Sequence, residues 1–173
     1  PTLSQTDGPY IEHRGNSVRI MRISQGGDVN ISMKPADVPF EVVSHNGEHK
    51  FTVKLHEINR PQWKCDMPER VLVMSDPHGN MDALVSVLRS QGVIDKDYKW
   101  SFGKGHFMLI GDVFDRGDDV VPISWLSYSH EDAARTAGRA LHFLPGNHEE
   151  TVLCNHLRYM TPKNGTLYHI LGI

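Results

Sequence analysis

The chain has 173 residues, 39% hydrophobic and 23% charged, enough to bury a substantial core in one domain or in one domain plus a small module. A net charge of −3 offers no basic field for nucleic acid or an anionic membrane surface, and no apolar run reaches membrane-spanning length. Cys65 and Cys154 lie far apart without metal-ligand spacing and read as two free thiols.

The chain opens Pro1-Thr2-Leu3 without an initiator Met and stops at Leu171-Gly172-Ile173 with no signal that the last unit is finished. We read it as a piece trimmed at both ends. The missing Met and the character of the first segment suggest a lost export signal, hence a periplasmic or exported bacterial protein, with a cytoplasmic one as the alternative.

Residues 1–68 read as a small antiparallel β module of about four strands. Ser17 to Ile23 alternates, with Val18, Ile20 and Ile23 set against Arg19 and Arg22, and Val29 to Met33 alternates again. Phe40 to His45 and His49 to Leu55 flank Asn46-Gly47, a strong hairpin signal because both turn positions favour positive φ. Phe51, Val53 and Leu55 share one face. His45, His49 and His56 read as solvated strand and turn residues. Pro61 to Lys64 reads as the exit of the module, and Asp66 to Arg70 as the polar entry to the first parallel strand.

Residues 69–173 repeat strand, loop and helix, the pattern of an α/β unit with a parallel sheet. Val71–Met74, Phe107–Ile110 and Leu141–Leu144 are the predicted strands, each read as buried. Met81, Leu84, Val85 and Leu88 fall at helical spacing, with Asn80 as N-cap and Gly92 just past the end. A second helix carries Pro122 in its first turn, an apolar face of Trp125, Leu126 and Tyr128, and a stop at Gly138. His106 and His142 read as packing or edge residues, and His156 and His169 as surface or helix residues.

A loop comes after each strand: Asp76-Pro77-His78-Gly79-Asn80, then Gly111-Asp112-Val113-Phe114-Asp115-Arg116-Gly117, then Gly146-Asn147-His148-Glu149. In parallel sheets ligands bind at the carboxyl ends of the strands, so the three loops converge. Asp76 and His78 can face one cation, with Asp112 and the Asn147 carbonyl arriving from the neighbouring loops. Carboxylate, imidazole and amide together suit Mn, Fe or Zn better than calcium. Asp112 can bridge two ions about 3.5–4 Å apart. Arg116 offers a planar fork for phosphate oxygens. His148 beside Asp115 has the makings of a general acid. Each motif alone also fits a plain structural turn. The second fits a capped loop with an internal Asp–Arg pair, the third a strand-to-helix turn capped by Asn147. In this order, each directly after a strand, they are far more specific.

The three motifs resemble those of the calcineurin-like metallophosphoesterases. The Asp-Arg-Gly ending of the second and the Glu of the third are similar to the phosphoprotein phosphatase branch. Asp115-Arg116-Gly117-Asp118-Asp119, the stop near Gly138 and Leu157-Arg158-Tyr159 are similar to its bacterial-type (Shewanella-like) subgroup. The resemblance covers about residues 69–162. It implies the N-terminal half of a metallophosphoesterase α/β sandwich domain, preceded by the β module. It implies that Asp76, His78 and Asp112 hold one metal, and that Asp112 and Asn147 reach a second, giving two divalent ions in the complete enzyme. Arg116 and Asn147 are implied to bind phosphate, His148 oriented by Asp115 to protonate the leaving oxygen, and a metal-bridging hydroxide to attack without a phosphoenzyme. Two further metal-binding histidines of the family have no clear counterpart, since His169 to Ile173 is at best a degenerate version of the first.

Three functions are compatible with these residues. The first is a metal-dependent phosphatase acting on phosphoprotein or similar phosphomonoesters. The second is a phosphodiesterase or dinucleoside polyphosphate hydrolase on the same fold. The third is a catalytically incomplete binding or scaffold unit. Asp115, His148 and Glu149 favour the first, because a poor leaving group needs an acid. The oligomeric state is not legible in the sequence.

Overall fold

The computed structural model describes residue 3, residues 5–59 and residues 64–171. Strands β1 (Asp7–Arg14), β2 (Ser17–Ile23) and β3 (Val29–Pro35) form one antiparallel sheet in that order, and β4 (Phe40–Val43) pairs with β5 (Lys50–Val53) in a second. The module thus has five described strands rather than four. The unanticipated β1 contains Gly8 and Pro9 and carries no clean alternation, which is why it escapes a pattern search. In β2 the alternation holds for Val18 and Ile20, whereas Ile23, also buried, lies three positions on and packs in a separate cluster with Leu3 and Leu167. In β3 it buries nothing: the strand pairs only with β2, and every residue is exposed. The exit at Pro61 to Trp63 lies outside the described residues.

The β4–β5 hairpin forms, but not through the tight turn expected. Gly47 has φ +76°, whereas Asn46 stays out of that region, and the last strand pair is Val43 with Lys50. The Asn46 side-chain oxygen accepts from the Glu48 amide at 3.0 Å, and the Ser44 hydroxyl accepts from the His49 amide at 3.0 Å. Side chains holding their own loop backbone stabilise a wider turn than Asn-Gly alone dictates.

The second segment follows the expected rhythm. Strands β6 (Arg70–Met74), β7 (Gly105–Ile110) and β8 (Leu141–Leu144) are parallel and adjacent, in that order. Helix α1 (Met81–Ser90) starts where Asn80 accepts from the Ala83 amide at 3.0 Å. It ends where Gly92, at φ +67°, turns the chain so that the Val93 amide reaches the Leu88 carbonyl at 2.8 Å. Helix α2 (Val120–Thr136) stops the same way at Gly138. Two further helices, α3 (Asn147–Leu153) and α4 (Pro162–Leu171), complete the described chain, with His156 and His169 exposed as expected. No described helix is long and apolar enough to cross a membrane.

The three parallel strands are not buried on both faces. Phe107, Leu109 and Leu141 are covered, but Val71, Val73, Ile110 and Leu144 are 40 to 51% exposed. Successive residues of a strand point to opposite faces, and among the described residues only one face is covered. On the covered side, Phe40, Val42, Phe51 and Val53 of the hairpin join Met81, Leu84, Leu88, Phe107, Leu109 and Leu126 in one apolar cluster. Truncating a buried Phe typically costs about 3–5 kcal/mol, a large part of a small domain's stability, so the two segments share what holds them folded.

Helix α2 also carries His130, which is 3% exposed and donates from Nε2 to the Tyr98 carbonyl at 2.9 Å. Burial pushes its pKa below the ordinary histidine value, partly opposed by that hydrogen bond. The native state therefore resists protonation there, while the unfolded chain takes the proton near pH 6.5. The stability contributed is present above about pH 6.5 and lost as pH falls below it. Urea unfolding at pH 7.5 and 5.5 should show the unaltered chain losing more stability on acidification than His130→Gln. Equal losses would show that His130 protonates as readily folded as unfolded.

Candidate active site

The three loops meet at the carboxyl ends of β6, β7 and β8 and are held by backbone contacts before any side chain is counted. The Asp76, His78 and Gly79 amides donate to the Gly111, Asp112 and Val113 carbonyls at 3.2, 2.9 and 2.9 Å. Gly79 and Gly117 press together so closely that a Cβ on Gly79 would lie 2.6 Å from the Gly117 carbonyl carbon. Asp76, His78, Asp112, Asp115 and Arg116 all take positive φ, between 42 and 68°. Such conformations are uncommon for residues other than glycine and persist only where the surroundings impose them.

The third loop is tied to the second by Glu149. Its carboxylate, 3% exposed, accepts from the Asp112 amide at 2.9 Å, the Phe114 amide at 2.9 Å and the Gly146 amide at 2.7 Å. Gly146, not Asn147, is the N-cap of α3, and Glu149 is its third helical residue, which explains the bond back to Gly146. The two other bonds are what the sequence reading missed. A Glu three residues past a helix start was visible; the backbone it would reach across to was not.

His78 donates from Nδ1 to the Phe114 carbonyl at 2.8 Å, leaving Nε2 with its lone pair free. Asp112, 8% exposed, accepts from the His148 amide at 3.1 Å. His148, 4% exposed, donates from Nδ1 to Asp115 at 2.8 Å, and Asp115 is itself 4% exposed. No internal Asp115–Arg116 pair forms: the carboxylate is taken by His148, and Arg116 is exposed without an ion pair among the described residues. The His78 and His148 rings meet edge to face, with centroids 4.8 Å apart, and the half-exposed Tyr159 ring lies 5.0 Å from His148. Tyr159 as a wall of the site is a second feature the sequence reading did not find.

Ligand atoms of His78, Asp112 and His148 lie within 4.8 Å of one another. Asp76 is exposed on the same loop as His78, outside that group, and Asn147 is exposed on the first turn of α3. A free imidazole nitrogen beside a buried carboxylate, the imidazole fixed by a carbonyl on its other nitrogen, is a donor set that fits a divalent transition metal. Elsewhere, His45, His49 and His56 are not simply solvated. His45 pairs with buried Asp119, His49 lies between Tyr98 and Asp82, and His56 stacks on Tyr128. His106 is buried in β7, with His142 beside it. Cys65 and Cys154 are both free.

Shewanella-like protein phosphatase 2 of Arabidopsis thaliana is 29% identical over 102 residues, 59% of this chain and 26% of that protein. Shewanella-like protein phosphatase 1 of Plasmodium berghei is 28% identical over 95 residues, 54% of this chain and 26% of that protein. The crystal structure of a cold-active protein-tyrosine phosphatase from a psychrophilic Shewanella species superposes with a TM-score of 0.82 at 29% identity, covering 97% of this chain and 51% of that one. The chain thus spans about a quarter of those two relatives and about half of the solved structure, whose likeness extends over the N-terminal strands. Residues 69–170, more than half of the chain and all three loops, match the family described as calcineurin-like phosphoesterase, and the chain belongs to that family.

Proposed function

We propose that the complete protein is a metal-dependent phosphatase that hydrolyses phosphomonoesters, with phosphorylated protein as its substrate class. The observation that carries this is the buried His148–Asp115 pair beside His78 and Asp112. A phosphomonoester with a poor leaving group needs a positioned acid, and such a pair is how a protein supplies one. The names of the relatives, protein phosphatases in each case, support phosphorylated protein over a small metabolite.

His78 and Asp112 would hold the first divalent ion, with Asp76 added from the exposed side of the same loop. Asp112 and Asn147 reach toward a second, and Mn, Fe and Zn each suit this mixed nitrogen and oxygen set. Bound there, the ions supply Lewis acidity toward phosphoryl oxygens and activate water. The chain's own residues do the rest. Arg116, free of any carboxylate partner among the described residues, offers its guanidinium fork to the phosphate, and the Asn147 amide binds beside it. Asp115 accepts from Nδ1 and so fixes the direction of Nε2. His148 gives its Nε2 proton to the ester oxygen as the bond from that oxygen to phosphorus breaks and a water oxygen bonds to phosphorus in its place, releasing the alcohol and inorganic phosphate.

A second reading makes His148 a third metal ligand. It rests on the proximity of His148 to His78 and Asp112, and on the fact that a carboxylate behind an imidazole also orients metal ligands. The two readings differ in what a substitution removes.

Asp112→Asn keeps an acceptor for the His148 amide but removes the anionic ligand between the loops. Turnover of p-nitrophenyl phosphate and tight Mn²⁺ binding should both be abolished, with the circular dichroism spectrum unchanged. Activity with ordinary metal content would make the loop from Gly111 to Gly117 merely structural.

His148→Asn should leave metal content unchanged and slow hydrolysis of a phosphoserine peptide by roughly 10²–10⁴-fold, while p-nitrophenyl phosphate, whose leaving group needs little help, is slowed far less. Asp115→Asn should show the same selectivity more mildly. Equal fractional losses on both substrates, or loss of metal in His148→Asn, would reject the acid role and favour the ligand reading.

A further inference from the structure

The tip of the β4–β5 hairpin reaches the two helices that grow out of the first two loops. His45 donates its backbone amide to Asp119 Oδ1 at 2.6 Å, and its ring Nδ1 meets Asp119 Oδ2 at 2.6 Å. Asn46 donates to the Asp82 carboxylate at 3.2 Å, and His49 Nε2 meets the same carboxylate at 2.7 Å. Asp119 and Asp82 stand at the starts of α2 and α1 respectively.

Asp119 is the informative residue. It is the N-cap of α2, yet its carboxylate makes no cap hydrogen bond to that helix. An Asp at this position ordinarily accepts from an amide of the first turn. Here the side chain is 3% exposed, and both oxygens turn to His45, which is 74 positions away in sequence. A carboxylate removed from water is tolerated only when its oxygens are satisfied, so His45 fixes where Asp119 lies. Asp119 in turn donates its amide to the Gly79 carbonyl at 3.0 Å, one residue from His78 and against the packed Gly79–Gly117 contact. A continuous path therefore runs from the hairpin tip through Asp119 to the backbone that carries His78.

We propose that His45 is a positioning residue for the metal site: by holding Asp119 it sets the first loop, and with it His78, in ligating geometry. This rests on His78 and Asp112 being metal ligands. The N-terminal β module then completes the site from behind while contributing no ligand. Partners of metal ligands in the surrounding shell typically change affinity by about 10–100-fold when removed, which sets the size of the expected effect.

The test is titration calorimetry of the full chain with MnCl₂ on His45→Ala, His45→Asn and Glu48→Ala, with the folded state of each checked by circular dichroism. His45 is 31% exposed on its side chain, so truncation opens no sealed cavity. His45→Ala should weaken Mn²⁺ binding by about tenfold or more. His45→Asn, which places an amide donor where Nδ1 stood, should recover most of that loss. Glu48→Ala, at the same exposed tip, should change nothing. Unaltered Mn²⁺ affinity in folded His45→Ala would overturn the proposal, as would a loss of equal size in Glu48→Ala. If His45→Ala does not fold, Asp119→Asn decides instead: weakened affinity supports the proposal and unchanged affinity overturns it. Absence of Mn²⁺ binding by the unaltered chain would overturn the ligand assignment itself. Binding that is insensitive to His45 would leave that assignment standing and remove only the positioning role.

Discussion

One carboxylate holds the site in shape. Glu149 is buried and accepts hydrogen bonds from three backbone amides, two in the second loop and one at the start of the third. Burying an ionised carboxylate is costly unless its oxygens are satisfied, and three charge-assisted bonds satisfy this one. In return, the amides of Asp112 and Phe114, which lie beyond the end of β7 and outside its strand ladder, gain a partner. The strained loop and the buried charge stabilise each other. His148 depends on the same arrangement, because it is the residue before Glu149 and its own amide is bonded to Asp112.

Around this clamp the structure is layered. The first loop leans on the second through three backbone bonds and a glycine–glycine contact. The second leans on the third through Glu149. The hairpin holds the outer side of the first two through Asp82 and Asp119. Apolar packing runs continuously from the hairpin strands to α1, α2 and the parallel sheet, so the site and the N-terminal strands rest on one core. The solved Shewanella relative matches over nearly the whole chain, N-terminal strands included.

What was legible in the sequence was local. The helices α1 and α2 were read correctly because apolar spacing, the Asn80 cap and the Gly92 and Gly138 stops all lie within a few residues of what they control. The three loops were legible because each comes directly after a short apolar run. Their convergence followed from the rule for parallel sheets, and the structure brings His78, Asp112 and His148 together while leaving Asp76 outside that group. The misreadings concern what only tertiary structure decides. The hairpin turn widened because Ser44 and Asn46 found partners inside the loop. Apolar strands looked buried, yet Val71 and Val73 face a side that nothing described covers. His45 read as a solvated turn residue because Asp119 lies 74 positions away.

The central claim is that this geometry, held by Glu149, is what binds the metal. Glu149→Gln tests it most directly: the substitution preserves size and helix start but puts an amide N–H₂ where backbone amides need an acceptor. The account predicts that Mn²⁺ affinity, measured by titration calorimetry on the folded variant, falls by about 10–100-fold, although Glu149 is not itself a ligand. Affinity equal to that of the unaltered chain would contradict it, showing that His78 and Asp112 hold their places without the clamp.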